Sequence, residues 1–78
     1  MVLAYLHRID RETNMARFYR VEVLPDLFGA VIVERRWGRI GCNGQSRAAS
    51  YPSITMAEVA ARGLVRAKER RGYRRSKN

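Results

Sequence analysis

The sequence predicts an α+β fold, in which an antiparallel β-sheet of about four strands packs one C-terminal helix against one face. Up to residue 51, short stretches alternate apolar with polar residues and are separated by turn-forming residues. After Pro52 the apolar residues follow a helical period instead. A chain of 78 residues is long enough for one domain. We predict that this domain covers residues 1–73 and that residues 74–78 form a basic, disordered tail.

The four predicted strands cover Val2–Ile9, Met15–Leu24, Ala30–Ile40 and Gln45–Tyr51. The first three are rich in β-branched and aromatic residues, whereas the fourth is rich in Ser and Ala, which are poor strand formers, and is predicted as the strand that returns after the turn. Alternate residues of a strand share a face, so Arg35, Trp37 and Arg39 are predicted to lie on one side of the third strand, with Val31 and Val33. The dipeptide Asn43-Gly44 then predicts a type I′ turn into the fourth strand, because both central residues of that turn need positive φ.

The helix is predicted from its start, its apolar stripe and its end. Thr55 and Glu58 have the spacing of a capping box, in which each side chain accepts a hydrogen bond from the other residue's backbone N–H. Gly72 is the predicted C′ residue, where positive φ is tolerated. The apolar stripe is predicted to face the sheet, and it contains Met56, Val59, Ala60, Gly63, Leu64 and Ala67.

The charge balance indicates an anionic partner. The chain has 16 Lys and Arg residues against 7 Asp and Glu, which gives a net charge of +9. Lysine occurs only at Lys68 and Lys77, so nearly all of this charge is arginine, whose planar guanidinium grips phosphate with two hydrogen bonds. Solubility alone is the plain alternative, but this density of arginine favours nucleic acid.

Other functional classes lack their sequence signatures. A single cysteine, Cys42, cannot form an internal disulfide, and no apolar run is long enough to span a membrane. The N-terminal residues do not resemble a signal peptide, so a cytoplasmic location is expected. The sequence has no catalytic triad, paired carboxylates or metal-ligand cluster. We therefore expect a protein that is not an enzyme and has no cofactor and no metal.

The order of several landmarks resembles the WGR domain family. These landmarks are Phe18-Tyr19 in an early strand, Arg36-Trp37-Gly38-Arg39-Ile40-Gly41, Gly44-Gln45, and a helix that ends in Lys68-Glu69-Arg70-Arg71-Gly72-Tyr73. The family is known from DNA-damage-sensing poly(ADP-ribose) polymerases and from small bacterial proteins. The resemblance implies an antiparallel sheet flanked by one helix, and binding to DNA at a break or at its 5′ phosphate.

The resemblance also implies roles for particular residues. In the polymerases the motif tryptophan packs on a sugar beside the break and the motif arginine helps to read the end, which corresponds to Trp37 and Arg39. Arg17 and Asn14 are the nearest matches to a residue that touches the DNA backbone, and Lys68 matches the family's lysine. Residue chemistry alone adds two further candidates, Arg35 beside the indole and Arg71 in the basic helix end.

Several alternatives remain open from the sequence. Trp37 is either an exposed stacking surface for a sugar or base, or a core residue covered by arginines through cation–π contacts. The partner is predicted to be duplex DNA, with a preference for ends or nicks. The second hypothesis is an acidic protein that docks on an uncovered, basic sheet face. The residues leave RNA binding and the oligomeric state undecided.

Overall fold

The computed structural model describes residues 1–76, which form a five-stranded antiparallel sheet and one helix. The strands are β1 (Val2–Asp10), β2 (Met15–Pro25), β3 (Val31–Arg39), β4 (Gln45–Tyr51) and β5 (Arg74–Arg75), and the helix α1 is Ile54–Arg70. The order across the sheet is β4-β3-β2-β1-β5. The predicted α+β class and the single C-terminal helix are confirmed, with one more strand than expected.

The core lies between α1 and one face of the sheet. Leu6, Tyr19 and Val21 come from the central strands and are buried to 2% exposure or less. They are neighbours across the strands, because Leu6 pairs with Tyr19 in one row while Val21 lies in the next row on the same face. From the helix, Ala57 and Ala61 are fully buried against them. The opposite side of the sheet has no helix, and it is called the open face below.

The prediction of which side of α1 faces the sheet is wrong, because the helix is rotated about its axis relative to the predicted orientation. The residues that α1 buries are Ala57, Ala61 and Val65. Met56 and Val59, which were expected to face the sheet, are 53% and 69% exposed. The alanines carry only a methyl group, so a helix that turns them inward can lie close to the large side chains of β2 and bury more of their surface.

The two ends of α1 are capped differently from each other, and only one was predicted correctly. Ser53, in an extended conformation, is the N-cap, and its hydroxyl accepts a hydrogen bond from the Met56 N–H at 3.2 Å. The capping box expected at Thr55 is therefore wrong, since that residue is already in the helix. At the other end, Gly72 has φ +96° and donates its N–H to the Glu69 carbonyl, as a C′ glycine does.

The connection between β3 and β4 reverses the chain, but not through the predicted type I′ turn. It contains five residues, 40–44, and positive φ occurs at Gly41 (+94°) and Gly44 (+75°), not at Asn43. The Cys42 N–H donates to the Arg39 carbonyl at 3.0 Å, which closes a tight turn with Gly41 at its third position. Only glycine occupies that position readily when φ is positive. The longer loop gives Gly44 a separate role.

Gly44 packs directly on the backbone of β3. A Cβ atom built on Gly44 would overlap the Trp37 carbonyl oxygen and would lie 3.1 Å from the Phe18 ring. A Cβ built on Gly38 would lie 2.7 Å from the Gly44 Cα. Both glycines are therefore needed for the start of β4 to approach the end of β3 this closely.

The predicted disordered tail is wrong for its first residues. Arg74–Arg75 form β5, which pairs with Leu6 and His7 of β1. The Ser76 N–H continues this contact by donating to the Tyr5 carbonyl at 2.8 Å. The edge of β1 offers unpaired backbone N–H and C=O groups, and this basic segment pairs with them instead of remaining in solvent. Residues 77–78 of the predicted tail lie outside the described residues.

We expect substitution of Gly44 and Gly63 by alanine to have opposite effects on stability. Gly44→Ala should lower the free energy of unfolding by about 1–3 kcal/mol or more, because it combines positive φ with a backbone clash. Gly63 lies in α1 with open space around it, so Gly63→Ala should raise that free energy by about 0.5–1 kcal/mol. Urea unfolding followed by circular dichroism measures both, and equal effects would contradict the packing described for Gly44.

Candidate nucleic-acid interface

Rows of residues that pair across the strands place arginines together on the helix-facing side of the sheet, at one end. Arg17 of β2 pairs with Arg8 of β1 on one side and with Arg39 of β3 on the other. Closer to the core, Arg35 of β3 pairs with Arg47 of β4. Directly opposed like charges destabilise a sheet, so these pairings work against the fold.

The C-terminal end of α1 adds two more cations at the same end of the sheet. The Lys68 ammonium lies 4.9 Å from the ring centre of Tyr19 and 5.3 Å from that of Tyr73, which are cation–π distances. Arg71 is the C-cap residue of α1. We use the name basic cluster for the seven cations Arg8, Arg17, Arg35, Arg39, Arg47, Lys68 and Arg71.

Trp37 lies in the row between these two arginine rows and is half-buried. It pairs with Tyr19 and packs against the hydrophobic core, while the Arg35 guanidinium lies 5.6 Å from its ring centre. The indole is therefore neither free at the rim nor sealed inside. One part of it is held by the core, and the rest is accessible beside the cations.

Two depressions flank the Trp37 side chain. One, of about 460 Å³, is lined by Arg17, Arg39, Lys68 and Tyr73, and the other, of about 260 Å³, is lined by Tyr19, Arg35, Arg47 and Lys68. Trp37 and Lys68 border both of them, so these two side chains form a ridge between two basic hollows. Tyr19 is buried, and its hydroxyl has no hydrogen-bond partner within residues 1–76.

Asn14 reaches the basic cluster through its backbone. It has φ +53°, a conformation that asparagine tolerates better than most residues, and it ends the tight turn between β1 and β2. Its carbonyl oxygen accepts a hydrogen bond from the Arg39 guanidinium at 3.2 Å. The turn thereby positions Arg39, which is otherwise exposed.

The residues of the basic cluster form no ion pairs in the part of the chain that the structure describes. The ion pairs formed within residues 1–76 join Arg20 to Glu22, Arg62 to Glu58 and Arg75 to Glu69, and none of them includes a residue of the basic cluster.

The charge of Lys68 is disfavoured in this environment. Burial lowers the pKa of the Lys68 ammonium, and the positive charges of Arg71, Arg35 and Arg17 lower that pKa further. An anion in either hollow would oppose this effect.

Sequence reasoning found five of the seven cations and missed Arg8 and Arg47. The alternation of β1 was a usable signal, because it puts Arg8 on the same face as the buried Ala4 and Leu6. Arg47 could be assigned only from the pairing of β4 with β3, since its own strand is almost wholly exposed and shows no apolar alternation.

The open face is not the uniformly basic surface that the protein-docking hypothesis assumed. Arg20 and Arg36 pair with each other there, and the next row pairs Glu22 with Glu34. An ion pair of 3.2 Å joins Arg20 to Glu22, and Arg36 donates to the Asn43 carbonyl. Charges of both signs in adjacent rows offset each other, so the excess positive charge lies on the other side.

Two general features of the described residues complete this description. Within residues 1–76, α1 lacks the length and the apolar composition needed to cross a bilayer. No three side chains among the histidine, cysteine, aspartate and glutamate residues of this part of the chain come together as a metal site.

Comparison with known proteins assigns the family. The WGR domain family model matches residues 2–78. The chain is also 40% identical over 70 residues to the uncharacterized protein y4dW of Sinorhizobium fredii (strain NBRC 101917 / NGR234). That alignment covers 90% of this chain and 34% of the relative, so the chain spans about a third of the relative's length. No solved structure matches the chain. The chain therefore belongs to the WGR domain family, whose members are generally nucleic-acid-binding modules.

Proposed function

We propose that the basic cluster binds duplex DNA through its sugar–phosphate backbone, with a preference for ends or nicks. The observation that carries this proposal is the set of directly opposed arginines, Arg8–Arg17–Arg39 and Arg35–Arg47, without a carboxylate partner in the described residues. Such rows destabilise the free protein, and a polyanion that lies across them removes the repulsion. Family membership supports a nucleic acid as that polyanion.

The ridge between the two hollows supports contact with the backbone and not with base edges. Trp37 offers an apolar surface for a deoxyribose, while the cations on both sides suit the phosphates that flank that sugar. No helix or strand projects from this surface into a groove, because α1 lies flat on the sheet and its last turn forms one side of the site. Binding should therefore depend little on sequence.

The half-buried indole supports the preference for ends or nicks. Its accessible part can stack on a sugar or base that has lost a neighbour, an interaction of about 1–3 kcal/mol per stacked base. In an intact duplex the bases are covered by their neighbours, so only the phosphate contacts remain. Trp37 would then add affinity mainly where the strand is interrupted.

RNA and an acidic protein are the alternatives that the binding experiments must separate from DNA. RNA would compete with DNA for the basic cluster, whereas the acidic protein is expected on the open face. A cytoplasmic location, which suits a DNA-binding module, also remains a proposal.

We expect substitutions of two adjacent arginines on opposite faces of β3 to differ in their effect on the protein's affinity for DNA. Arg35→Gln should weaken binding to a linear duplex, because Arg35 belongs to the basic cluster and lies beside Trp37. Arg36→Gln removes the same charge from the open face and should leave affinity close to that of the unmodified protein. Fluorescence anisotropy with a labelled duplex measures both. A larger loss for Arg36→Gln would move the interface to the open face.

Loss of the indole should change the affinity for interrupted DNA and for closed DNA by different amounts. Trp37→Ala should weaken binding to nicked and blunt-ended duplexes more than binding to closed circular DNA, because only the former expose a sugar or base for stacking. Competition titrations with these DNAs, a single strand and an RNA hairpin measure the preference. The melting temperature of the variant serves as the control for its fold, since Trp37 also packs on the core. Equal losses on all DNAs would exclude end recognition, and preferential binding to the RNA hairpin would exclude DNA as the main ligand.

Replacement of Lys68 by methionine should separate stability from binding. The lowered pKa means that the folded state disfavours the charged ammonium, so Lys68→Met should not lower the free energy of unfolding. If Lys68 contacts a phosphate, the slope of log K against log salt should become shallower by about 0.9. An unchanged slope with reduced stability would assign Lys68 a purely structural role.

DNA binding should also raise the pKa of Lys68, because phosphate favours the charged form that its arginine neighbours disfavour. Since DNA would bind the charged form of Lys68 more tightly, binding should weaken as the pH rises through the pKa that Lys68 has in the complex. Titration of the Lys68 side-chain resonances by NMR, with and without a short duplex, tests this. A pKa that does not change would contradict phosphate contact at Lys68.

A further inference from the structure

The edge of the sheet formed by β4 has only one of the features that usually prevent pairing with another chain, the charge of Arg47. The strand has seven residues, and it pairs with β3 without interruption from Gln45 to Tyr51. It contains no proline, lysine or bulge, and six of its seven residues are uncharged. Because β4 is last in the sheet order, the backbone N–H and C=O groups on its outer side point away from the sheet.

The other edge of the sheet is protected. β5 has only two residues, both arginine, and it pairs with Leu6 and His7 in the middle of β1, so it interrupts the edge of β1 with a short, charged strand. Short, charged edge strands are a common means of preventing edge-to-edge association. The contrast makes β4 the long, open edge of the described sheet.

A groove beside β4 continues this surface toward the helix. It has a volume of about 350 Å³, and Ala49, Tyr51, Ala60 and Leu64 form its apolar lining. The exposed Met56 lies on the same flank of α1 as Ala60 and Leu64, about one helical turn before Ala60. A strand added at β4 would place alternate side chains over this groove.

We propose that β4 is the interface of a symmetric dimer, in which it pairs antiparallel with β4 of a second copy. The unpaired backbone groups of the edge are a template for another strand, and the residues of β4 favour the same strand. With Ala48 opposite Ala48, Ser46 faces Ser50 and the single charge, Arg47, faces Ala49. This register avoids opposed like charges and pairs hydroxyl groups, both of which stabilise an antiparallel pair.

The dimer arrangement also separates most of the two basic clusters. Antiparallel pairing about Ala48 puts the two-fold axis perpendicular to the sheet, so both helices lie on one side. The start of β4, beside Trp37, then meets the end of β4 of the second copy. The Arg8–Arg17–Arg39 rows of the two copies lie at opposite corners of one ten-stranded sheet, while the two Arg47 side chains are diagonal neighbours at the interface. This proposal does not depend on DNA binding, although two clusters on one face could hold two DNA segments.

The test begins with the mass of the unmodified chain in the absence of DNA. Sedimentation equilibrium over a range of concentrations, at low and high salt, should show an equilibrium between a 9.0 kDa monomer and a particle of twice that mass. High salt should favour the dimer, because the two copies are both strongly basic. A chain that remains monomeric at all concentrations, or one that forms an open-ended polymer, would overturn the proposal.

Charge substitutions at Ala48 test the register. In a monomer, Ala48→Lys places the lysine directly opposite Glu34, which should preserve the fold, but in the dimer the two lysines would face each other. We therefore expect at least a tenfold weaker dimer for Ala48→Lys, with Ala48→Gln as the uncharged control of similar length. Circular dichroism verifies that each variant is folded. A dimer that Ala48→Lys does not weaken would place the interface elsewhere.

A mixture of two charged variants provides a second, independent result. Ala48→Lys and Ala48→Glu should each dimerise poorly, yet together they should form a heterodimer through opposed charges. Native mass spectrometry distinguishes the heterodimer from either homodimer. If the mixture forms no heterodimer while both variants are folded, Ala48 does not lie opposite Ala48 and the proposed pairing is wrong.

Discussion

The close approach of Gly44 to the backbone of Trp37 is the constraint on which the candidate interface depends. Any side chain at Gly44 would overlap the Trp37 carbonyl, and Gly38 must also lack a side chain for the two strands to come this close. Phe18 packs under this contact on the open face. With the backbone held from that side, the indole of Trp37 stays on the helix-facing side, between the two hollows.

The protein combines a small core with an electrostatically unfavourable surface. Three arginines share one row and two share another, and Lys68 has a lowered pKa because burial and three neighbouring arginines disfavour its charge. A domain of this size has little stability to spare, so such repulsion is significant. The proposed function accounts for it physically, since a polyanion converts the repulsion into binding free energy.

The basic end and the free edge of the sheet differ in chemistry, although they share Arg47. The basic cluster presents side-chain charge, whereas the outer edge of β4 presents backbone hydrogen-bonding groups and small uncharged side chains. Binding a polyanion at one and a strand at the other would therefore use different groups, with Arg47 common to both. Under the two proposals, one small domain would bind DNA and associate with a second copy.

The sequence by itself determined the α+β class, the four main strands, the glycine C′ residue of α1 and the shared face of Arg35, Trp37 and Arg39. These follow from local rules, because side-chain alternation and glycine's tolerance of positive φ depend on neighbouring residues alone. Only the tertiary structure decided the rotation of α1, the β3–β4 loop, β5, and the addition of Arg8 and Arg47 to the cluster. Each of these depends on contacts between residues far apart in the chain, which local patterns do not encode.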